Sequence, residues 1–151
     1  MQSFGDALGR VALALWAGGT WTVGYIVAPL LFATLDDRML AGTLAGRGFS
    51  AIAWVGIGCG LVLLATETHR LRRWSPSALM VVAAALLGAI GEFALHPKIA
   101  ALRSSGFGDL AQFRLLHGLS SVMYLLQSLL LLWLVARPRS GSDLPASWRG
   151  K

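Results

Sequence analysis

Charged residues are scarce in this chain, and their scarcity decides its broad class. Only 13% of the 151 residues are Asp, Glu, Lys or Arg, whereas 56% are hydrophobic. A soluble domain carries about 25% charged residues. A chain with half that share lacks the polar groups to cover its own surface, and at this length one domain is expected. The composition therefore predicts a protein that lies in lipid.

Cysteine and catalytic signatures are also lacking. Cys59 is the single cysteine, so an intrachain disulfide cannot form. No nucleophile-and-base arrangement, phosphate-binding loop or dinucleotide fingerprint is visible, which argues against a hydrolase, a kinase or a nucleotide-driven pump. The net charge is +6, but the basic residues flank apolar runs and do not cluster with aromatics on a polar face. This pattern favours membrane lipid as a partner over nucleic acid.

Long apolar runs are what the chain has instead. They predict transmembrane helices at about residues 8–34, 40–66, 76–97 and 110–136, since ~20 apolar residues cross a hydrocarbon core. The first uncharged run is longer than the apolar region of a secretory signal, which predicts an uncleaved helix. We therefore expect an all-α, integral membrane four-helix bundle over residues 1–136. Residues 137–151 are polar and rich in Pro, Gly and Ser, so we expect a disordered cytoplasmic tail.

Basic residues at the ends of the runs predict the orientation. An N-in, C-in arrangement places more Lys and Arg inside, with Arg70, Arg72 and Arg73 in one short loop. We accordingly expect a bacterial inner-membrane location. Glycines spaced four apart, Gly42 with Gly46 and Gly56 with Gly60, allow close helix approach. They favour packing inside the bundle over a homo-oligomer interface.

Polar or unusual residues fall in the predicted outer half of every span. Glu92 and His96 are four residues apart and therefore share one face of the third helix. The other helices carry at similar depth Tyr25 with Pro29; Arg47, Ser50 and Trp54; and His117, Ser121 and Tyr124. The sequence therefore predicts a polar site in this half of the bundle.

Glu92 needs an explanation, because a charge within the membrane costs about 2.5–3.5 kcal/mol and usually faces a partner in the bundle interior. Three interpretations stay open. Glu92 forms a structural pair with Arg47 or keeps its proton; it forms a site with His96 and His117, as a metal ligand or proton carrier; or it reaches interfacial water.

The histidines leave the cofactor open. Two imidazoles and a carboxylate suit a divalent metal ion, whereas histidines on two neighbouring helices suit a haem. The candidate metal ligands are therefore Glu92, His96 and His117. The wider candidate polar site consists of Tyr25, Arg47, Ser121 and Tyr124.

Several short motifs carry a family resemblance. The chain has Pro-x-x-Phe at residues 29–32, His96-Pro97, and His-Gly-x-Ser-Ser at residues 117–121. With the stretches LWAGGTWTVGYIVAPLLFATLDDRMLAGTLAGRGFSAIAW and HPKIAALRSSGFGDLAQFRLLHGLSSVMYLLQ, it resembles the transmembrane-protein-205-like family. Animal members often carry Asn where Tyr124 stands. The resemblance implies a four-helix membrane protein with a link to metal or solute handling, and a distant similarity to copper-resistance protein D-like bundles.

Three functions remain in competition. The first is a membrane protein that binds or moves a metal ion or small solute through an outer-facing polar site. The second is a haem-dependent membrane enzyme or electron carrier. The third is a structural or accessory bundle without its own chemistry. Whether the chain is an enzyme is therefore left open.

Overall fold

Four long helices make up the part of the chain that the structure describes. The computed structural model describes residues 4–71, 75–106 and 109–137. These residues form helices and no strand: α1 (Phe4–Thr34), α2 (Arg38–Leu71), α3 (Pro76–Ser104) and α4 (Leu110–Ala136). Each helix contains a stretch long and apolar enough to cross a membrane. The prediction of an all-α protein with four candidate membrane spans is confirmed.

The helices pack in sequence order around a common interior. Helix α1 packs on α2, α2 on α3 and α3 on α4, and α4 returns to the first part of α1. Asp37 begins α2 by accepting hydrogen bonds from the backbone N–H groups of Met39 and Leu40, at 2.8 and 3.1 Å. Asp109 begins α4 in the same way by accepting from Gln112 N at 2.9 Å. We call the half of the bundle that contains these α1–α2 and α3–α4 connections the hairpin end.

Each of the odd-numbered helices widens into a π turn just before a proline. In α1 the π turn is Val23–Val27, two residues short of Pro29, and in α3 it is Gly91–Leu95, two residues short of Pro97. Proline has no N–H, and its ring collides with the carbonyl four residues earlier in a regular α-helix. The wider turn relieves that collision, so both helices continue past their prolines.

Because of this wider turn, the third helix ends later than predicted. We expected the third helix to end near Pro97, but α3 continues to Ser104. Helix α2 also runs on to Leu71, beyond the predicted end near residue 66. The Arg72–Arg73 part of the expected basic loop, and residues 138–151 of the expected tail, lie outside the described residues.

The core in the half of the bundle opposite the hairpin end surrounds one large side chain. Trp16 on α1 is only 1% exposed and packs with Val81 and Leu131 in the core. Gly56 and Gly60 on α2 leave the space that the indole occupies, because a Cβ at Gly56 would overlap the Trp16 ring. This glycine pair therefore serves packing inside the bundle, as the sequence predicted.

Replacing Gly56 tests whether this glycine makes room for the Trp16 indole. Gly56→Ala forces the Trp16 indole out of place, and we expect it to lower the free energy of unfolding by roughly 1–3 kcal/mol through overpacking. Thermal unfolding in mild detergent measures the effect. Gly58→Ala is the matched control, because no atom lies within 4 Å of its added Cβ, and it should be neutral or slightly stabilising. Equal destabilisation by both substitutions would contradict the role of Gly56 in accommodating the Trp16 indole.

Candidate functional site

A cavity of about 450 Å³ extends from the middle of the bundle into the hairpin end and receives side chains from all four helices. This size is within the range of sites for small molecules, which combine apolar walls with a few placed polar groups. The polar and charged residues on its wall are Thr20, Tyr25, Glu92, His96, Arg103, His117, Ser120, Ser121, Tyr124 and Gln127. Of the residues predicted for the wider polar site, Tyr25, Ser121 and Tyr124 line this cavity and Arg47 does not.

Glu92 is held by one partner from α2 and one from its own helix. The hydroxyl of Ser50 donates a hydrogen bond to Glu92 Oε1. His96 Nδ1 lies 3.5 Å from Glu92 Oε2, one turn further along α3. The side chain of Glu92 is 12% exposed, against 35% for His96. Both carboxylate oxygens therefore have a protein partner while the group still lines the cavity.

The other glycine pair of α2 makes room for the polar side chains of α3. A Cβ at Gly46 would lie 3.2 Å from His96 Nε2, and a Cβ at Gly42 would lie 3.2 Å from the Arg103 guanidinium. Arg103 Nη1 also donates a 2.8 Å hydrogen bond to the Gly42 carbonyl. These contacts fix the depth of α3 against α2, and so the position of Glu92.

Tyr124 connects α4 to α1 at the base of the cavity. Its hydroxyl donates a hydrogen bond to the Thr20 carbonyl, and a Cβ at Gly24 would overlap its ring. The ring meets Tyr25 and Phe49 edge-on, with centroids 6.3 and 5.1 Å away. Edge-to-face pairs of this kind add about 0.5–1.5 kcal/mol each beyond burial. The three rings form an aromatic wall.

Arg47 does not pair with Glu92, contrary to the structural interpretation offered from the sequence. Arg47 is exposed, and the partners described for Glu92 are Ser50 and His96. The face of α2 that meets α3 runs through Gly42, Gly46 and Ser50. Since successive residues turn by about 100° around a helix, Arg47 lies on a different face from Gly46. Of the face expected from Arg47, Ser50 and Trp54, Ser50 reaches Glu92, whereas Arg47 and Trp54 are exposed.

His117 and Ser121 lie on the exposed rim of the cavity. The His117 ring stacks on Phe113 with centroids 5.8 Å apart and an interplanar angle of 4°. Ser121 Oγ donates to the His117 carbonyl at 2.9 Å. Among the described residues, no three His, Cys, Asp or Glu side chains are grouped as metal ligands. Glu92 and His96 meet, but His117 does not complete a metal site with them, and the metal-ligand assignment stays a prediction.

Two cavity residues carry chemistry that the sequence prediction left out. Arg103 is not among the predicted site residues, yet it hydrogen-bonds α2 from the cavity wall. Gln127 is 6% exposed and lies against Gly88 at the base of the cavity. Its position three residues after Tyr124 continues the helix face of His117, Ser121 and Tyr124. That continuation is the signal by which it could have been found.

The helices and the cavity define the class: an integral membrane protein built as a four-helix bundle. Residues 11–107 match a protein family described as a domain of unknown function (DUF4149). The chain belongs to this family. No curated protein and no solved structure matches the chain. The resemblances to the transmembrane-protein-205-like family and to copper-resistance protein D-like bundles gain no support from these comparisons.

Double-mutant cycles distinguish the partners of Glu92. We expect Glu92→Gln to couple with Ser50→Ala and with His96→Ala by roughly 0.5–3 kcal/mol, because these side chains are in contact. The same cycle with Arg47→Ala should be additive within about 0.5 kcal/mol. Unfolding free energies in one detergent provide the measurement. Strong coupling to Arg47 together with additivity at Ser50 would refute the geometry described above.

Proposed function

We propose that this membrane protein binds a small solute in the cavity, with Glu92 and His96 as the main polar contacts. The supporting observation is that the Glu92 carboxylate, inside an apolar helix, faces a space of about 450 Å³. A charge at such a position costs about 2.5–3.5 kcal/mol and marks a functional site by default. In this proposal the hairpin end faces outward, as the Lys and Arg distribution predicts.

The geometry supports binding more directly than a purely structural role. A carboxylate that serves only stability is best enclosed by its partners, since a buried pair gains when its remaining lone pairs are satisfied. Here Ser50 and His96 hold the carboxylate at one side, and the other side lines a cavity that reaches all four helices. The free volume beside the charge is what a bound solute would use.

The donor set favours an organic solute over a metal ion as the bound species. Glu92 and His96 supply two candidate ligands, whereas zinc sites use three or four protein ligands. The cavity wall adds amide, hydroxyl and guanidinium groups, from Gln127, Tyr124 and Arg103. Amide and guanidinium N–H groups donate hydrogen bonds. Such N–H donors can contact an organic solute but cannot ligate a metal ion.

Analysis of co-purifying small molecules tests this proposal. The full chain is purified from membranes in mild detergent, and extracted small molecules are compared by mass spectrometry across variants. We expect a species that the wild type retains and that is reduced by roughly tenfold or more in two variants. Glu92→Gln removes the charge at the cavity, and Ser121→Trp fills the rim. Elemental analysis of the same samples distinguishes a metal ion from an organic solute.

Leu132→Trp is the matched control, because Leu132 is 49% exposed on the same helix and does not line the cavity. It introduces the same side chain as Ser121→Trp and should retain the species. Small-molecule profiles that are identical in wild type, Glu92→Gln and Ser121→Trp would overturn the proposal. Size-exclusion profiles of all variants verify that each remains folded.

A further inference from the structure

The cavity has a side opening between α1 and α4. Residues 23–34 of α1 pack on α2, but none of their Cα atoms lies within 8 Å of a Cα atom of α4. At the base of this gap, the Tyr124 side chain bridges to Thr20 and Gly24. Beyond that bridge, towards the hairpin end, the two helices separate. The gap therefore begins near the middle of the bundle and continues towards the hairpin end.

The rim of the gap is exposed along a stretch that lies within the candidate spans. Tyr25, Phe32 and Leu125 line the cavity and are 51%, 47% and 50% exposed. His117 and Ser121 are exposed on the α4 side of the same rim. Leu125 lies near the middle of α4, so a protein crossing the bilayer along these helices places this part of the rim in the hydrocarbon region. The gap is thus open to lipid.

The charge and the aromatic side chains at the cavity suit a cation. Among the described residues that line the cavity, Glu92 is the only acidic one. Arg103 is eleven residues further along α3, which corresponds to about 16 Å of helix, and one of its nitrogens is bonded to Gly42. Tyr25 and Phe49 each meet Tyr124 edge to face, and all three residues line the cavity. The face of an aromatic ring attracts a cation through the ring quadrupole.

We infer that the cavity takes a lipophilic organic cation that enters from the bilayer between α1 and α4. Its charge meets the Glu92 carboxylate, and its apolar groups pack against Tyr25, Phe49 and Tyr124. The inference rests on the proposed binding function and adds the ligand class and the route of entry. The apolar substituents that let such a cation partition into lipid also fit the apolar residues of the cavity wall.

Two ions of equal shape and opposite charge test the ligand class. Tetraphenylphosphonium and tetraphenylborate are measured by equilibrium dialysis against the full chain in mild detergent. We expect tetraphenylphosphonium to bind at least about tenfold more tightly than tetraphenylborate, and Glu92→Gln to weaken it by about tenfold or more. The amide retains hydrogen bonding and removes the charge, so this variant separates charge recognition from recognition of a neutral ligand.

Two further variants test the route. Ser121→Trp narrows the rim without touching Glu92 and should slow or weaken tetraphenylphosphonium binding, whereas Leu132→Trp should leave it unchanged. Equal binding of both ions, or unchanged cation binding in Glu92→Gln, would overturn the cation assignment. If the cation assignment fails but Ser121→Trp still weakens tetraphenylphosphonium binding, the proposal of a solute-binding cavity stands. Absence of binding by either ion to the wild type overturns this inference alone, because the co-purification experiment decides the proposed function independently.

Discussion

A carboxylate inside a membrane-spanning helix is the constraint on which the rest of the site depends. Glu92 cannot stay charged among apolar side chains without partners, since insertion of such a charge costs about 2.5–3.5 kcal/mol. Ser50 reaches it from α2, and His96 lies one turn away on α3. This arrangement requires α2 and α3 to approach closely, and Gly42 and Gly46 allow that approach by leaving space for Arg103 and His96.

The two ends of the bundle use small residues in different ways. At one end, Gly56 and Gly60 accept the Trp16 indole, which lies in the buried core cluster. At the hairpin end, Gly42 and Gly46 accept polar side chains that face a cavity. Because association of helices in lipid depends on packing and hydrogen bonds and not on a hydrophobic driving force, the filled end holds the bundle together. The hairpin end is then able to keep free volume.

The sequence predicts the spans and the Glu92–His96 pair, but not the rotation of each helix. A span depends on the length of an apolar run, and an i, i+4 pair depends on helical period; both are local properties. One interpretation paired Arg47 with Glu92 because of its charge. Gly42, Gly46 and Ser50, however, repeat at four-residue intervals and mark the face of α2 that meets α3. The sequence predicted that the third helix ends near Pro97. The helix instead continues through a π turn to Ser104, and the turns after Pro97 pack on α2 and α4. Those contacts join residues far apart in the sequence, so no single run of residues predicts them.

Cross-linking in native membranes tests most directly whether Glu92 faces Ser50 inside the bundle. Cysteine pairs are introduced in a Cys59→Ser background, as Ser50→Cys with Glu92→Cys and, separately, as Arg47→Cys with Glu92→Cys. A bis-methanethiosulfonate reagent with a short spacer is added, and linked peptides are identified by mass spectrometry. The structure predicts efficient linkage of positions 50 and 92 and little linkage of positions 47 and 92. The reverse pattern would show that α2 is rotated away from the described orientation, and it would remove the basis of the site.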